Sequence, residues 1–166
     1  VAERPKPRPE ALFAGTPLIL VAVAVQDPGN VGGLVRSAEA AAAAGALLTT
    51  GTADPFAWKA LRGSMGGAFR LPILTGLTTT EAIALCRHHG LRTAAAVARG
   101  GVAPEAADLR GPLALLLGSE AAGLPEDVTA AADVRLTIPL APPVESLNVG
   151  VAAGILLFEA ARQRRV

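Results

Sequence analysis

Polar side chains that could do chemistry collect in three short turns, each of which follows an apolar run. The turn QDPGNVGGLVR carries Asn30 and Arg36, LGSEAAGLPED carries Glu120, and IPLAPPVESLN carries Ser146 and Asn148. Short hydroxyl and amide side chains can orient a substrate, a carboxylate can accept hydrogen bonds, and a guanidinium can bind an anion. In open parallel sheets, ligands bind beyond the carboxyl ends of the strands. We therefore take these three turns together as the candidate site.

Each of these residues also has a purely structural alternative. Ser146 could be the N-cap of the apolar helix that VGVAAGILLFEAAR predicts. That cap would leave Asn148 in the helix interior, where asparagine is a poor residue, so we favour a site. Asn30 could be a plain turn residue or a helix cap, and Glu120 could favour the dipole of the short helix that LPEDV predicts. Arg36, in an alanine-rich helix, could be a solvated surface residue.

Several common catalytic signatures are absent from the sequence. DPGNVGG does not match the dinucleotide-binding pattern G-x-G-x-x-G, and no segment matches the P-loop pattern. GSMGG and GSEAAG have the wrong spacing for a nucleophile elbow. His88 and His89 are adjacent at a predicted helix end without a cysteine or carboxylate at ligand spacing, so we expect no metal site. A generic hydrolytic enzyme therefore lacks a nucleophile–base pair.

The composition is that of a folded domain with extensive burial. Hydrophobic residues make up 51% and charged residues 17% of the 166 residues, which excludes a disordered chain. No apolar run reaches the length of a membrane helix, and no secretory cleavage pattern is present. The single cysteine, Cys86, fits a reducing compartment, so we expect a cytoplasmic protein. The net charge of +1 does not by itself indicate nucleic acid.

Strand-forming and helix-forming segments alternate along the chain. PLILVAVAV, ALLTT, RTAAAV, PLALLLG and DVRLTIPL predict strands, and AFRLPIL predicts an edge strand because it contains Pro72. QDPGN predicts a turn, followed by a helix that ends at Gly45, and DPFAWKALR, TTTEAIALCRHHG, LPEDVTAA and residues 146–164 predict further helices. This alternation predicts an α/β fold whose mostly parallel sheet is flanked by helices. Residues 1–16 are predicted to be a linker or N-terminal extension.

Taken together, the three turns resemble the SpoU (TrmH-like) family of RNA ribose 2′-O-methyltransferases, which belong to the SPOUT class. The family pattern N-x-G-x-x-x-R matches residues 30–36, and G-x-E-x-x-G-L matches residues 118–124. The third pattern, I-P followed by S-L-N-V, matches residues 138–139 and 146–149. The segment KALRGSMGGAFRLPI is also similar to the family's sequence between the motifs. The resemblance extends from about Leu18 to Arg165.

The resemblance implies a fold, a cofactor and a partner. The fold would be a SPOUT-type domain over residues 17–166 with a C-terminal trefoil knot, which physical rules alone would not predict. The cofactor would be S-adenosylmethionine, bound in a bent form, and the protein would be a homodimer whose site uses residues of both chains. One segment departs from the family: Leu140–Pro143 reads LAPP where members commonly have Met and Gly. The two prolines stiffen this loop and remove two backbone donors.

The resemblance also assigns roles to individual residues. Catalytic roles fall on the polar residues of the three turns, which are Asn30, Arg36, Glu120, Ser146 and Asn148. Cofactor contacts, largely through the backbone, fall on Gly118, Ile138 and Leu147. Glu120 would orient Asn30 or offset the charge of Arg36. Arg36 is commonly assigned as the base, but a guanidinium stays protonated in proteins, so a clamp on phosphate or alkoxide is the alternative.

The sequence thus predicts an enzyme that transfers a methyl group from S-adenosylmethionine to a ribose 2′-hydroxyl of RNA. Ribosomal RNA is favoured over transfer RNA, with no metal and no membrane involved. Lys59, Arg62 and Arg70, with Arg164 and Arg165, could form an RNA-facing patch, or could be exposed charge without a role. Few aromatic residues are available for base stacking, a gap that an upstream RNA-binding domain outside this chain would fill. The alternative is a non-catalytic RNA-binding or dimerisation module with the same fold.

Overall fold

The computed structural model of the protein describes residues 4–5 and 7–165. Residues 1–3, 6 and 166, which include part of the predicted N-terminal extension, lie outside the described residues. The strands are β1 (Leu18–Ala22), β2 (Gly45–Thr49), β3 (Ile73–Leu77), β4 (Arg92–Ala96), β5 (Leu113–Leu117) and β6 (Val134–Leu136). The helices are α1 (Pro9–Leu12), α2 (Pro28–Ala40), α3 (Trp58–Ser64), α4 (Thr79–His88), α5 (Glu126–Ala131) and α6 (Val149–Gln163).

The six strands form one parallel sheet in the order β3-β2-β1-β5-β4-β6. Every residue of β1, β2 and β5 is buried, because these strands lie inside the sheet and are covered on both faces. That burial explains why their sequences are continuous apolar runs. β3, which follows Pro72, lies at one edge of the sheet as predicted. The predicted α/β fold is therefore confirmed, and the trefoil knot stays a prediction.

Successive side chains of β1 point into two separate hydrophobic cores. Leu18, Leu20 and Ala22 pack with α2 and α6 on one face of the sheet. Ile19 and Val21 pack with α1 and α4 on the other face. This alternation is the two-residue period of an extended strand. It places α2 and α6, which carry two of the three candidate motifs, on the same side of the sheet.

The boundaries of α2 differ from the prediction at both ends. The segment predicted to be a turn contains the helix start: Asp27 is the N-cap, its side chain accepts from the backbone N–H of Asn30, and Pro28 is the first helical residue. The helix ends at Ala40 rather than near Gly45. Ala42 takes a left-handed conformation with a φ of 57°, and Gly45 is already the first residue of β2. Alanine runs favour helices in general but do not specify where one stops.

Two other helices begin later than predicted. The helix predicted over DPFAWKALR begins only at Trp58, and the Asp54 side chain accepts from the N–H of Phe56 in a preceding turn. α6 begins at Val149, and its N-cap is Asn148 rather than Ser146. The cap interpretation was thus assigned to the wrong residue of the pair.

Part of the predicted N-terminal extension belongs to the packed structure. Leu12 is completely buried and Phe13 nearly so. The Phe13 ring stacks on His89 with 4.1 Å between the ring centroids. These contacts join the segment before β1 to the end of α4. None of the helices in the described part of the chain combines the length and apolar character that crossing a membrane requires.

Candidate active site

The three motifs meet in one chain of hydrogen bonds at the carboxyl edge of the sheet. Asn30 lies in the first turn of α2, after β1; Glu120 follows β5, the neighbour of β1; Asn148 caps α6. The Asn30 side-chain amide donates to a carboxylate oxygen of Glu120. The Asn148 amide donates to Asn30 Oδ1 at 2.9 Å. Residues separated by 90 and 118 positions in sequence are therefore in direct contact.

The direction of each hydrogen bond in this chain is fixed by its neighbours. Asn148 Oδ1 accepts from the backbone N–H groups of Gly150 (2.9 Å) and Val151 (3.3 Å), so its NH₂ group must face outwards. That NH₂ group donates to Asn30, whose own NH₂ is then left to face Glu120. A carboxylate can only accept hydrogen bonds, so Glu120 suits the last position in this series of hydrogen bonds. Asn148 is therefore both a helix cap and a member of the site.

The turn that carries Glu120 is held tightly against the end of β5. The N–H of Gly123 donates to the carbonyl of Ser119 at 2.9 Å, and the N–H of Ala122 donates to the Ser119 hydroxyl at 3.2 Å. Gly118 lies directly beneath this turn. A Cβ on Gly118 would lie 2.0 Å from the carbonyl carbon of Gly123, so only glycine fits. The glycines of this motif thus set the position of Glu120.

A second glycine contact positions the helix that carries Asn30. A Cβ on Gly32 would lie 2.5 Å from the backbone oxygen of Ala60, because α2 and α3 cross there at close range. Lys59 of α3 pairs with the Asp27 carboxylate at 2.6 Å. The Lys59 hydrogen bond, with that from the N–H of Asn30, lowers the pKa of Asp27. Asp27 was not among the predicted site residues, although Asp-Pro before a helix is a recognisable start signal.

The other two predicted catalytic side chains carry no hydrogen bond among the described residues. Arg36 is exposed on α2, about 9 Å along the helix from Asn30 at 1.5 Å per residue. Ser146 is exposed and lines the same cavity as Glu120. Both side chains are therefore available to a ligand, whereas those of Asn30, Glu120 and Asn148 are engaged with one another.

A cavity of about 540 Å³ opens beside the hydrogen-bonded chain, beyond the carboxyl ends of β4, β5 and β6. Gly118, Ile138 and Leu147, which the resemblance assigned to the cofactor, all line it. Their backbone N–H and C=O groups form no hydrogen bond with other described residues, so they can pair with a ligand. The volume is typical of small-molecule sites, and apolar side chains such as Leu156 form part of the wall. These features fit the adenosine part of S-adenosylmethionine.

The predicted RNA-facing patch is only partly available. Lys59 pairs with Asp27, and Arg70 pairs with the Glu39 carboxylate. The Arg70 guanidinium lowers the pKa of Glu39. The Arg62 side chain is exposed and carries no hydrogen bond or ion pair in the described part of the chain. These three residues lie on or just after α3, beside the helix that carries Asn30.

Arg164 was expected in the same patch, but the structure gives it another role. Its guanidinium donates to the backbone carbonyls of Leu109 (3.0 Å), Thr16 (3.1 Å) and Gly111. Burial lowers its pKa. With its donors used in these contacts, Arg164 joins the end of α6 to the segments before β1 and β5. Arg165 next to it is exposed.

Comparison with known proteins relates the whole domain to RNA methyltransferases. An uncharacterized tRNA/rRNA methyltransferase of Mycolicibacterium vanbaalenii is 37% identical over 157 residues, covering 94% of this chain and 50% of the relative. An AdoMet-bound rRNA methyltransferase from Sinorhizobium meliloti is 38% identical with a TM-score of 0.82, covering 89% of this chain and 56% of that one. An RNA 2′-O ribose methyltransferase is 35% identical with a TM-score of 0.82, covering 100% of this chain and 61% of that one.

The chain spans about half the length of the curated relatives it matches. The family model described as the SpoU rRNA Methylase family matches residues 17–158, a span that includes all three motifs. The resemblance that the motifs indicated is therefore confirmed, and the chain belongs to the SpoU rRNA methylase family.

Proposed function

We propose that the protein containing this chain methylates a ribose 2′-hydroxyl of RNA, with S-adenosylmethionine as the methyl donor and ribosomal RNA as the favoured substrate. The observation that carries the proposal is the meeting of Asn30, Glu120 and Asn148 at the mouth of the cavity lined by Gly118, Ile138 and Leu147. The AdoMet-bound relative supports the cofactor, and the similar 2′-O ribose methyltransferase supports the acceptor.

S-adenosylmethionine supplies an electrophilic methyl group on a sulfonium when bound. The protein's part is to hold the 2′-oxygen in line with that methyl group and to stabilise charge as the hydroxyl proton passes to solvent. Ser146, whose hydroxyl is exposed at the cavity wall, orients the ribose. Asn30 and Asn148 fix the position of the Glu120 carboxylate, which lines the same cavity. Arg36 acts as a clamp that stabilises the developing alkoxide or the adjacent phosphate through the positive charge of its guanidinium group.

The RNA contacts we propose lie on and beside α3. Arg62 is exposed without an acidic partner in the described chain, so it can bind phosphate directly. Lys59 and Arg70 already have carboxylate partners. These partners screen their positive charge, so both residues contribute less to phosphate binding than Arg62 does. We also propose a homodimer, because Val151, Ile155 and Phe158 form an exposed apolar stripe on α6.

The experiment combines calorimetry with mapping of ribose methylation in total RNA, using the full protein that contains this chain. We expect binding of S-adenosylmethionine and a gain of one or more 2′-O-methyl positions in RNA from cells lacking the protein. Ser146→Ala should keep cofactor binding and reduce methylation. Methylation at a base atom would contradict the ribose assignment, and binding without any methylation would favour the non-catalytic alternative.

A further inference from the structure

A second cavity of about 330 Å³ adjoins the first one. Four residues line both cavities: Ala98, Ile138, Leu140 and Glu145. The two spaces are therefore neighbours that share one wall, formed by the segment after β4 and the loop between β6 and α6. The first cavity fits an adenosine. The second cavity extends from it along Leu140–Pro143, the LAPP segment whose sequence differs from the family pattern.

The charged side chains around these two cavities are few. Among the described residues that line them, the acidic ones are Glu120 and Glu145, and the basic one is Arg99. Glu120 is already engaged by Asn30. Arg99 and Glu145 form an ion pair with 2.8 Å between Nη2 and Oε1, and their side chains are 76% and 78% exposed. The pair thus stands at the shared wall with most of its hydrogen-bonding capacity unused.

The same pair is the attachment point of the loop from Pro139 to Leu147. Within the described chain, Arg99 to Glu145 is the one hydrogen bond that joins this loop to another segment. The loop's other hydrogen bond is internal, from the N–H of Val144 to the carbonyl of Ala141. Arg99 follows the end of β4 by three residues, so the pair joins the loop that carries Glu145 to the segment after β4.

We propose that Arg99 and Glu145 together bind the amino-acid tail of the methyl donor, Arg99 taking its carboxylate and Glu145 its ammonium group. This inference rests on the proposed cofactor. A carboxylate-bearing ligand needs a cationic partner, and Arg99 is the cationic side chain that the lining residues provide. The ion pair uses one N–H of Arg99 and one oxygen of Glu145, so the other donors and the second oxygen remain for the ligand. When the zwitterionic tail lies beside this ion pair, positive and negative groups alternate. Each of the four charged groups then lies next to groups of opposite charge, which is electrostatically favourable.

The test measures binding of three ligands by calorimetry to the wild type, Arg99→Gln and Glu145→Gln. The ligands are S-adenosylmethionine, its decarboxylated form, which keeps only the ammonium group, and 5′-methylthioadenosine, which lacks the whole tail. We expect both variants to bind S-adenosylmethionine about fivefold to tenfold more weakly. Only Glu145→Gln should weaken the decarboxylated ligand, and neither variant should change binding of 5′-methylthioadenosine by more than about twofold.

A matched control is Arg110→Gln, which breaks another exposed ion pair, with Asp108, away from both cavities; all three affinities should stay at the wild-type value. Equal weakening of all three ligands by Arg99→Gln and Glu145→Gln would mean that the pair only fastens the loop, and would overturn the proposal. Unchanged binding of S-adenosylmethionine would overturn it as well. If the wild type binds none of the ligands, the proposed cofactor fails too, whereas wild-type binding with no effect of the variants removes only this inference.

Discussion

Asn30 donates to a carboxylate and accepts from an amide, so each end of its side chain has one fitting partner. The order of donors and acceptors begins at the N-terminus of α6, where Asn148 Oδ1 accepts from two backbone N–H groups. An aspartate in place of Asn30 would still accept from Asn148 but would set a second carboxylate against Glu120. The chain of hydrogen bonds therefore requires an amide at position 30 because Glu120 is an acid.

Because of this requirement, we expect a second substitution at Glu120 to restore the stability lost by a substitution at Asn30. Asn30→Asp should destabilise the fold by about 1 kcal/mol, because a donor is lost and two carboxylates face each other. Adding Glu120→Gln should restore most of the melting temperature, since the introduced amide can donate where the carboxylate accepted. Methylation should stay low in the double variant if the Glu120 carboxylate is needed for the reaction. Thermal unfolding and a methylation assay on the same samples separate the two roles.

The single variant Glu120→Gln is the control for this pair. Its amide oxygen can still accept from Asn30, so we expect a nearly unchanged melting temperature together with reduced activity. Loss of stability in Glu120→Gln equal to that in Asn30→Asp would show that like-charge repulsion is not the cause.

Arg36 is free of protein partners in the described chain, which suits a clamp on the substrate. Arg36→Lys keeps the charge but loses the planar fork, so we expect partial activity, with nearly none in Arg36→Ala. Removal of one such donor typically costs about 3–4 kcal/mol of transition-state stabilisation. Because Arg36 is outside the lining of the cavity, calorimetry should show cofactor affinity close to wild type in both variants.

The pH dependence of Arg36→Lys distinguishes a clamp from a base. A clamp predicts no ionisation of residue 36 in the rate profile. Activity that rises tenfold per pH unit toward a plateau near pH ~10, the usual range for lysine, would show that the residue is deprotonated. The wild type must be measured in parallel, because the 2′-hydroxyl itself reacts faster at high pH.

At the scale of the elements, the crossing of α2 and α3 gives a sharp prediction about two adjacent glycines. Gly32→Ala would place a methyl group 2.5 Å from the Ala60 oxygen, so the helices must separate, at a cost of about 1–3 kcal/mol. Gly33→Ala meets no atom within 4 Å, and replacing a helical glycine should stabilise the protein by up to about 1 kcal/mol. Denaturant unfolding of both variants measures the difference, and equal stability of the two would contradict the close crossing.

The C-terminal turn of α6 predicts a pH-dependent contribution to stability. Hydrogen bonds from Arg162 and then from Gln163 lower the pKa of Glu159 from its ordinary 4.5 to about 2. A lowered pKa stabilises the fold above pH 4.5, and this gain is lost as the pH falls from 4.5 toward 2. The melting temperature of Glu159→Gln should therefore lie below wild type at neutral pH, and the gap should close near pH 2.

Glu105→Gln is the matched control, because the Glu105 side chain is exposed and has no hydrogen bond within the described residues. Its difference from wild type should be small at every pH. A Glu159→Gln gap that is constant from pH 7 to about pH 2 would contradict the linkage between this carboxylate and folding.

The sequence predicted elements well where burial on both faces produced an unbroken apolar run, as in β1 and β5. It failed where local composition does not mark a boundary. Pro28 was assigned to a turn, although proline is favoured in the first turn of a helix. The helix prediction for α2 included alanines 41–44, although the backbone of Ala42 has a left-handed conformation in the structure. Ser146 was considered as the cap of α6 and Asn148 was not, although both residue types fill that position about equally well.

At the scale of the whole molecule, convergence of the site could be anticipated only through the family resemblance. Sequence spacing does not place Asn30 next to Glu120; the contact arises because β5 returns to the sheet beside β1. The role of Arg164 was equally hidden, since its three carbonyl partners come from two loops, before β1 and before β5, that carry no sequence signal for it. Local patterns predict elements, but contacts between distant loops depend on the strand order.

If the exposed apolar stripe of α6 forms the interface of the proposed homodimer, one charged side chain introduced into the stripe should dissociate the dimer. Val151, Ile155 and Phe158 recur at intervals of four and three residues, so they share one helix face. Ile155→Asp should convert the dimer into a folded monomer, measured by light scattering at micromolar concentration with circular dichroism as the folding check. Val102→Lys changes another exposed apolar residue and should leave the mass unchanged. A monomeric wild type would contradict the proposal.

The anchoring of Arg164 to Thr16 places the end of α6 at the amino edge of the sheet, beside the segment that enters β1. The candidate site lies at the opposite edge, and β1, with its five residues, spans about 16 Å between them. A domain joined after α6 would therefore start at the edge of the sheet opposite the candidate site. The linker to such a domain would need at least about five extended residues to reach the edge of the sheet where the site lies. The length of this linker, and not RNA affinity alone, would then decide which nucleotide of a bound RNA reaches the site.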